Sequence, residues 1–305
     1  MRHSFIQKLK EHIREGVVLE REPMGRHTTF QVGGPADLFV EPGNLEEFRY
    51  TVDFARRDQV PFFVTGNGSN LLVSDEGYRG MILHIGKKLS KITVSDCVVE
   101  ADAGASLAAI AKAALMHGLT GLEFAAGIPG SLGGAVVMNA GAYGGEMKDV
   151  LAQVNVLTKD GDLLTLRAED MDFSYRHSCV PEKEYIVLGA RMCLTPGDRE
   201  VIKSRMNELA EARRQKQPLN YPSAGSTFKR PEGYFVGKLV DDCGLRGYTV
   251  GGAMVSEKHC GFVINHGCAK ASEIHSLIRQ VQKKVNRQFG VMLEPEVQFI
   301  GFEEK

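Results

Sequence analysis

Two glycine-rich stretches carry the residue types from which an anion site can be built without a cation. One is Gly66-Asn-Gly-Ser-Asn70. The other, about sixty residues later, runs Gly127-Ile-Pro-Gly-Ser-Leu-Gly-Gly-Ala-Val-Val-Met-Asn-Ala-Gly-Ala-Tyr-Gly-Gly-Glu146. Positions without Cβ let the backbone approach a ligand closely and take up positive φ. Successive backbone N–H groups then form an anion-binding nest. Ser69, Asn70, Ser131 and Asn139 add hydroxyl and amide donors, and neither stretch contains Lys or Arg. Taken alone, either stretch is equally well explained as a loop packed against a neighbouring strand.

Two standard phosphate motifs fail on spacing. Between Gly80 and Gly86 lie five residues where a P-loop has four, and no Ser or Thr follows Lys87. Gly66-x-Gly68 follows an apolar segment, but Leu71 stands where the dinucleotide fingerprint has its third glycine, and no helix pattern follows. What remains is a pair of nests with small hydroxyls, which suits a pyrophosphate bridged by backbone amides and hence a dinucleotide.

The elements that must position these turns read as an α+β chain. Phe5, Ile6, Leu9 and Ile13 share one helical face, which predicts a helix docked on the body of the protein. Asn44 with Glu47 forms a capping box for a helix to about Arg57. Pro61–Thr65 reads as a buried strand, Ile92–Val94 and Cys97–Ala101 as a hairpin, and Ser106 as the cap of a helix that Gly118 ends. Asp160-Gly161 centres a second hairpin, and Tyr185–Leu194 is a further strand. Asp198 caps a long helix with Val201, Ile202, Met206 and Leu209 inward, ending before Pro218. A last helix, capped by Ser272 and ended by Gly290, buries Ile274, Leu277, Ile278, Val281 and Val285, and a strand through Glu294–Phe299 closes the chain.

With 305 residues, 43% hydrophobic and 25% charged, the chain has the composition of a soluble globular protein of one large or two ordinary domains. A net charge of −1 gives no field for nucleic acid or an anionic membrane, and no apolar run reaches the length of a membrane span. The six cysteines contain no CxxC pair, which predicts reduced thiols and a cytoplasmic setting. His259-Cys260 and His266-Gly-Cys268 match no zinc spacing, so both cysteines are expected to be buried thiols and no metal is expected.

Six motifs occur in one order: Thr28-Thr-Phe-Gln-Val-Gly-Gly-Pro-Ala36, Gly66-Asn-Gly-Ser-Asn-Leu-Leu72, Gly127-Ile-Pro-Gly-Ser-Leu-Gly-Gly134, Ser174-Tyr-Arg-His-Ser178, Pro222-Ser-Ala-Gly-Ser-Thr-Phe-Lys229 and Leu293-Glu-Pro-Glu-Val297. The set resembles the bacterial UDP-N-acetylenolpyruvoylglucosamine reductase family, flavoenzymes that complete UDP-N-acetylmuramate for peptidoglycan. The likeness runs from about residue 20 to residue 300. The short segment between Ser178 and Tyr185 resembles the shorter-loop subtype, which lacks an inserted tyrosine that closes over substrate. The resemblance implies residues 1–32 as helix and lead-in strands, an FAD-binding unit of the vanillyl-alcohol-oxidase type over 33–197, and a smaller α+β substrate domain over 198–305. It further implies that NADPH reduces FAD and that FAD then reduces the enolpyruvyl group. FAD contacts are expected from Gly66, Asn67, Gly68, Ser69, Asn70, Leu71, Pro129, Gly130, Ser131, Gly133, Gly134, Asn139 and Gly141.

That reaction needs a group to stabilise an enolate and a donor to protonate its carbon. Arg176 suits enolate stabilisation, since a guanidinium is always charged and grips a carboxylate with two nitrogens; pairing with Asp170 or Asp172 is the alternative. The strand pattern puts Glu294 and Glu296 on one face and does not choose between them; the resemblance assigns Glu296. It also assigns Ser226 proton donation, a residue that would otherwise read as a turn serine. Tyr175, Lys238 and Arg214 are candidates for gripping the UDP-sugar, with Arg213 and Arg214 equally readable as helix-end charges. Two rival readings stay open: an alcohol oxidase of the same fold, and a non-catalytic flavin- or nucleotide-sensing module.

Overall fold

The computed structural model describes residues 3–302, which form two compact units, each built from separated stretches of chain. One unit comprises the chain up to Leu19, Phe39–Asn67 and Gly80–Arg213; the other comprises Glu20–Leu38, Gly68–Arg79 and the chain from Arg214. This differs from single cuts at residues 33 and 198. The long helix stays with the first unit as far as Arg213, and two early segments belong to the second.

In the first unit, helix α1 (His3–His12) buries Phe5, Ile6 and Leu9, and Phe5 stacks on Phe54 at 4.5 Å. Its amphipathic face is thus docked, as the spacing predicts. Phe54 belongs to α2 (Leu45–Arg57), whose Asn44 cap accepts from the Glu47 amide at 2.9 Å. Glu47 does not complete the box. Its buried carboxylate instead accepts from the amides of Arg14 (2.7 Å), Glu15 (2.8 Å) and Gly43 (2.7 Å), tying the chain after α1 to α2. Burial alone would raise this carboxyl, but the N–H groups of Glu15, Gly43, Arg14 and Gly16 outweigh it and hold the pKa below its usual value. A depressed carboxylate stabilises the fold fully above the unfolded-chain pKa of about 4.3, and that stability is lost as pH falls through the lower folded value. Glu47→Gln is expected to cost about 1–3 kcal/mol at neutral pH. Urea unfolding midpoints should show that the difference from the native chain shrinks below about pH 4.

A five-stranded antiparallel sheet dominates this unit, in the order Leu163–Arg167, Leu151–Leu157, Ile186–Cys193, Val98–Asp102, Ile92–Ser95. Both predicted hairpins are present, with Gly161 at φ +90° and Asp96 at φ +51° in their turns. Helix α3 (Leu107–Met116) starts at Ser106, which accepts from the Ala109 amide at 3.2 Å, and stops at Gly118, φ +67°. Helix α4 (Leu132–Val137) rises from the second glycine stretch. Helix α5 (Arg199–Lys216) buries Ile202 and Leu209, with Asp198 accepting from the Glu200 amide at 2.7 Å. Val201, expected inward, is 67% exposed, because the inward stripe runs through Ile202, Met206 and Leu209.

The second unit sets α6 (Val236–Asp242) and α7 (Ala271–Phe289) around a three-stranded antiparallel sheet, Thr249–Val250, Ala253–Val255 and Val263–Asn265. Its core joins Leu239, Val255, Val263, Ile274, Leu277, Val281 and Leu293 to Phe30, Val32 and Leu72. Helix α7 begins one residue before Ser272, so Ser272 is not its cap. Asp75 serves that end instead, accepting from the amides of Ala271 (2.7 Å) and Ser272 (2.9 Å). Gly290, φ +68°, ends the helix as expected. The closing strand is shorter than predicted, Gln298–Ile300, and lies parallel to Leu71–Val73. All six cysteines are free thiols; Cys260 is buried as expected, but Cys268 is exposed in a positive-φ turn. Among the described residues no helix is long and apolar enough to cross a membrane.

Candidate functional site

The first unit brings Gly66 and Asn67 against the second glycine stretch. A Cβ on Gly66 would lie 2.0 Å from the hydroxyl of Ser131, and the Asn67 amide reaches the Pro129 carbonyl at 3.4 Å. Even with that hydroxyl rotated away, the Ser131 Cβ would stand 3.1 Å from the added carbon, and Ser131 is itself 3% exposed. Gly66→Ala is therefore expected to lower unfolding stability by about 1–3 kcal/mol, measurable by denaturant titration.

Beyond Ser131 the amides divide by use. Leu132 N–H donates to the Ala105 carbonyl and Gly133 N–H to that of Ala103, both at 2.8 Å, so these two hold the turn against the sheet. Pro129 and Gly134 are exposed and Gly130 is half-buried. Asn139 is fully buried at φ +41°, with its amide donating to Glu146 (2.9 Å) and the Ser174 carbonyl (3.0 Å) and accepting from Lys148 N–H (3.0 Å). With both amide hydrogens spent inside the protein, Asn139 positions the loop and has no side-chain donor left for a ligand.

Asn139 also anchors the turn that carries the predicted arginine. Ser174 and His177 pair as a two-residue hairpin, with N–H···O distances of 3.3 and 3.2 Å, and Tyr175 and Arg176 form its tip. Arg176 sits at φ +55°, a conformation that costs a bulky residue about 1–3 kcal/mol. Its Nη2 donates to the Gly141 carbonyl at 3.2 Å, and its guanidinium lies 5.0 Å from the Tyr175 ring centre. Gly141 thus holds the arginine in place. Positive φ is the geometry that the tip of a two-residue hairpin requires. Of the two nearby carboxylates, Asp170 pairs with Arg167 and Asp172 with His177.

A residue underweighted by sequence reading joins this unit. Arg213, in the last turn of α5, lies 3.4 Å from where a Gly127 Cβ would be. Desolvation lowers the pKa of its half-buried guanidinium, with the Tyr143 hydroxyl acting the other way. The signal was present: Arg213 follows the buried Leu209 by four residues and so shares its face, whereas Arg214 is turned away and exposed.

In the second unit, Gly68 takes φ +60° with its would-be Cβ 1.9 Å from the His27 carbonyl, and Ser69 is half-buried beside it. Leu71 is buried in a strand, so its side chain belongs to the core. The polar centre is the run Gly225-Ser226-Thr227. Gly225, at φ +77°, turns the chain; Thr227 is fully buried, its N–H donating to Gly261 O and its hydroxyl accepting from Val263 N–H, both at 2.9 Å. Ser226, between them, is exposed, and no hydrogen bond to its hydroxyl is present among the described residues. The Glu296 amide donates to the Thr227 carbonyl at 2.9 Å, which brings Glu296 to the chain position next to Ser226. The structure also separates the two glutamates: Glu294 is exposed and paired with Lys229 at 2.5 Å, while Glu296 is half-buried. Lys238 lies on the open face of α6, paired with Asp242 at 2.9 Å.

Residues 217–300 match the family model described as UDP-N-acetylenolpyruvoylglucosamine reductase, C-terminal domain, and residues 36–167 match an FAD binding domain. A UDP-N-acetylenolpyruvoylglucosamine reductase of Agathobacter rectalis is 55% identical over 99% of both chains. The chain belongs to the UDP-N-acetylenolpyruvoylglucosamine reductase family. The reductase of the same name from Caldanaerobacter subterraneus is 52% identical, again over 99% of both chains. The crystal structure of the family member from Thermus caldophilus superposes with a TM-score of 0.79 at 35% identity, covering 93% of this chain and 98% of that one. The architecture is thus an FAD-binding unit of this oxidoreductase fold together with the reductase family's C-terminal domain. The residues present fit the flavin cofactor: a Cβ-free turn packed on a serine hydroxyl, exposed glycine backbone at 134, and a partly desolvated guanidinium beside Gly127 are a donor set for a pyrophosphate.

Proposed function

We propose that the protein reduces the enolpyruvyl group of UDP-N-acetylglucosamine enolpyruvate to give UDP-N-acetylmuramate, with NADPH as the source of two electrons. The observation that carries the residue roles is the Thr227 O···Glu296 N hydrogen bond, which sets an open serine hydroxyl and a half-buried carboxylate at adjoining positions of the reductase-family domain. FAD, when bound, supplies the hydride. The turns at Gly66–Asn67 and Pro129–Gly134 would hold its pyrophosphate, with Arg213 as counter-charge.

Hydride added to the terminal carbon of the enolpyruvyl group leaves an electron pair on the neighbouring carbon, delocalised into its carboxylate. Arg176 binds that carboxylate and lowers the energy of the enolate. Glu296 supports it as a hydrogen-bond donor when protonated. Ser226 Oγ passes its proton to the carbon, completing addition of H⁻ and H⁺ across the double bond, and recovers a proton from water. Serine is a weak acid, but the carbon it protonates is a strong base, so placement of the hydroxyl is what matters. The reaction belongs to the cytoplasm, where its reductant and free thiols are both maintained.

The deciding measurement is NADPH oxidation by the purified flavoprotein with and without the enolpyruvyl sugar. Oxidation that depends on the sugar supports the reading. Oxidation of an alcohol with consumption of oxygen would establish the oxidase instead, and flavin binding without turnover would establish a sensing module.

A further inference from the structure

We propose that Asn70 is a positioning residue for Glu296, and that the second glycine-turn asparagine therefore serves the reaction centre through the protein backbone. This rests on the reading of Glu296 given above. Asn70 grips the segment at two points: its side-chain Nδ2 donates to the Glu296 carbonyl at 2.8 Å, and its own carbonyl accepts from the Gln298 amide at 2.9 Å. A third bond, Glu296 N–H to the Thr227 carbonyl at 2.9 Å, closes the clamp from the Ser226 side. Glu296 is thus fixed through both its N–H and its C=O, with no regular strand at that residue, since the pairing with Leu71–Val73 begins only at Gln298.

The half-buried amide cannot be replaced by water without loss of direction. A carboxylate needs its backbone held to a fraction of an ångström if it is to meet a developing charge, and misplacement by about 1 Å costs on the order of 10²-fold in rate. The adjoining Gly66–Ser69 turn is the one offered to the cofactor, so Asn70 is the point where cofactor turn and carboxylate segment share one residue.

The test uses the full-length, flavin-loaded protein with Asn70→Ala and the near-isosteric Asn70→Asp, which removes the donor with little change of shape. Measured on flavin-loaded protein, both are expected to slow the sugar half-reaction by about 10- to 100-fold more than they slow the NADPH half-reaction. In a Glu296→Ala background neither substitution should cost more than about two-fold further, because a residue acting through the Glu296 side chain has nothing left to act on. Independently of turnover, amide hydrogen exchange in the peptide spanning Glu294–Ile300 should quicken by about ten-fold or more. Unchanged exchange, or a loss that persists in full beside Glu296→Ala, overturns the proposal, as does loss of flavin as the main effect. A native protein inert toward the enolpyruvyl sugar would instead sink the reading of the reaction, leaving the exchange result to decide the clamp.

Discussion

Ser226→Ala is expected to keep its flavin and to be reduced by NADPH at the native rate, while reduction of the enolpyruvyl sugar falls by about 10²–10⁴-fold. The asymmetry follows from where the serine sits. Its neighbours do the structural work: Gly225 turns the chain at φ +77°, and Thr227 is locked by three hydrogen bonds of 2.9 Å. The Ser226 side chain, exposed and making no hydrogen bond among the described residues, can lose its oxygen without disturbing them. Stopped-flow absorbance of the flavin separates the two half-reactions. Equal slowing of both would remove Ser226 from the proton-donor role, and native rates in both would remove it from the chemistry.

Arg176→Lys is expected to lower the sugar half-reaction by about 10²–10³-fold, although the charge is conserved. A guanidinium can hold the Gly141 carbonyl through Nη2 at 3.2 Å and still direct other N–H groups of its planar fork elsewhere. An ammonium concentrates its donors on a single nitrogen and cannot span both tasks. The turn itself should survive, because the Ser174–His177 pair and the Asn139 bond to the Ser174 carbonyl do not involve the side chain. An unchanged thermal midpoint alongside the lost rate would place the effect in the reaction. Native turnover in Arg176→Lys would refute the enolate role.

What could be read from the sequence was what local chemistry controls. The caps at Asn44 and Ser106, the Asp160-Gly161 hairpin and the glycine stops at 118 and 290 depend on neighbours within a few residues, and each is present. The pairing of the two glycine stretches was legible from composition, but the reason for it, a serine hydroxyl filling the space beside Gly66, was not. The start of α7 was misplaced because Asp75, which caps it, is remote in sequence. Counting from Leu209 around the helix places Arg213 on the inward face and Arg214 on the open one. Glu294 and Glu296 share a parity that no strand pattern can split; the Lys229 pairing distinguishes them only once the chain is folded.

The discontinuity of the second unit bears on how the chain is made. Its core takes Phe30, Val32 and Leu72 from the first quarter of the sequence, and the N-terminus of α7 waits on Asp75. As the chain leaves the ribosome, segments 20–38 and 68–79 emerge long before the partners they are destined for. The core that Phe30, Val32 and Leu72 share with residues beyond 214 therefore closes late, while the five-stranded sheet can already assemble. By the same logic the stretch 217–300, though it matches a family model by itself, holds only part of its own core. Cut free, it would lack Phe30, Val32 and Leu72 from that core and expose part of its apolar surface to water.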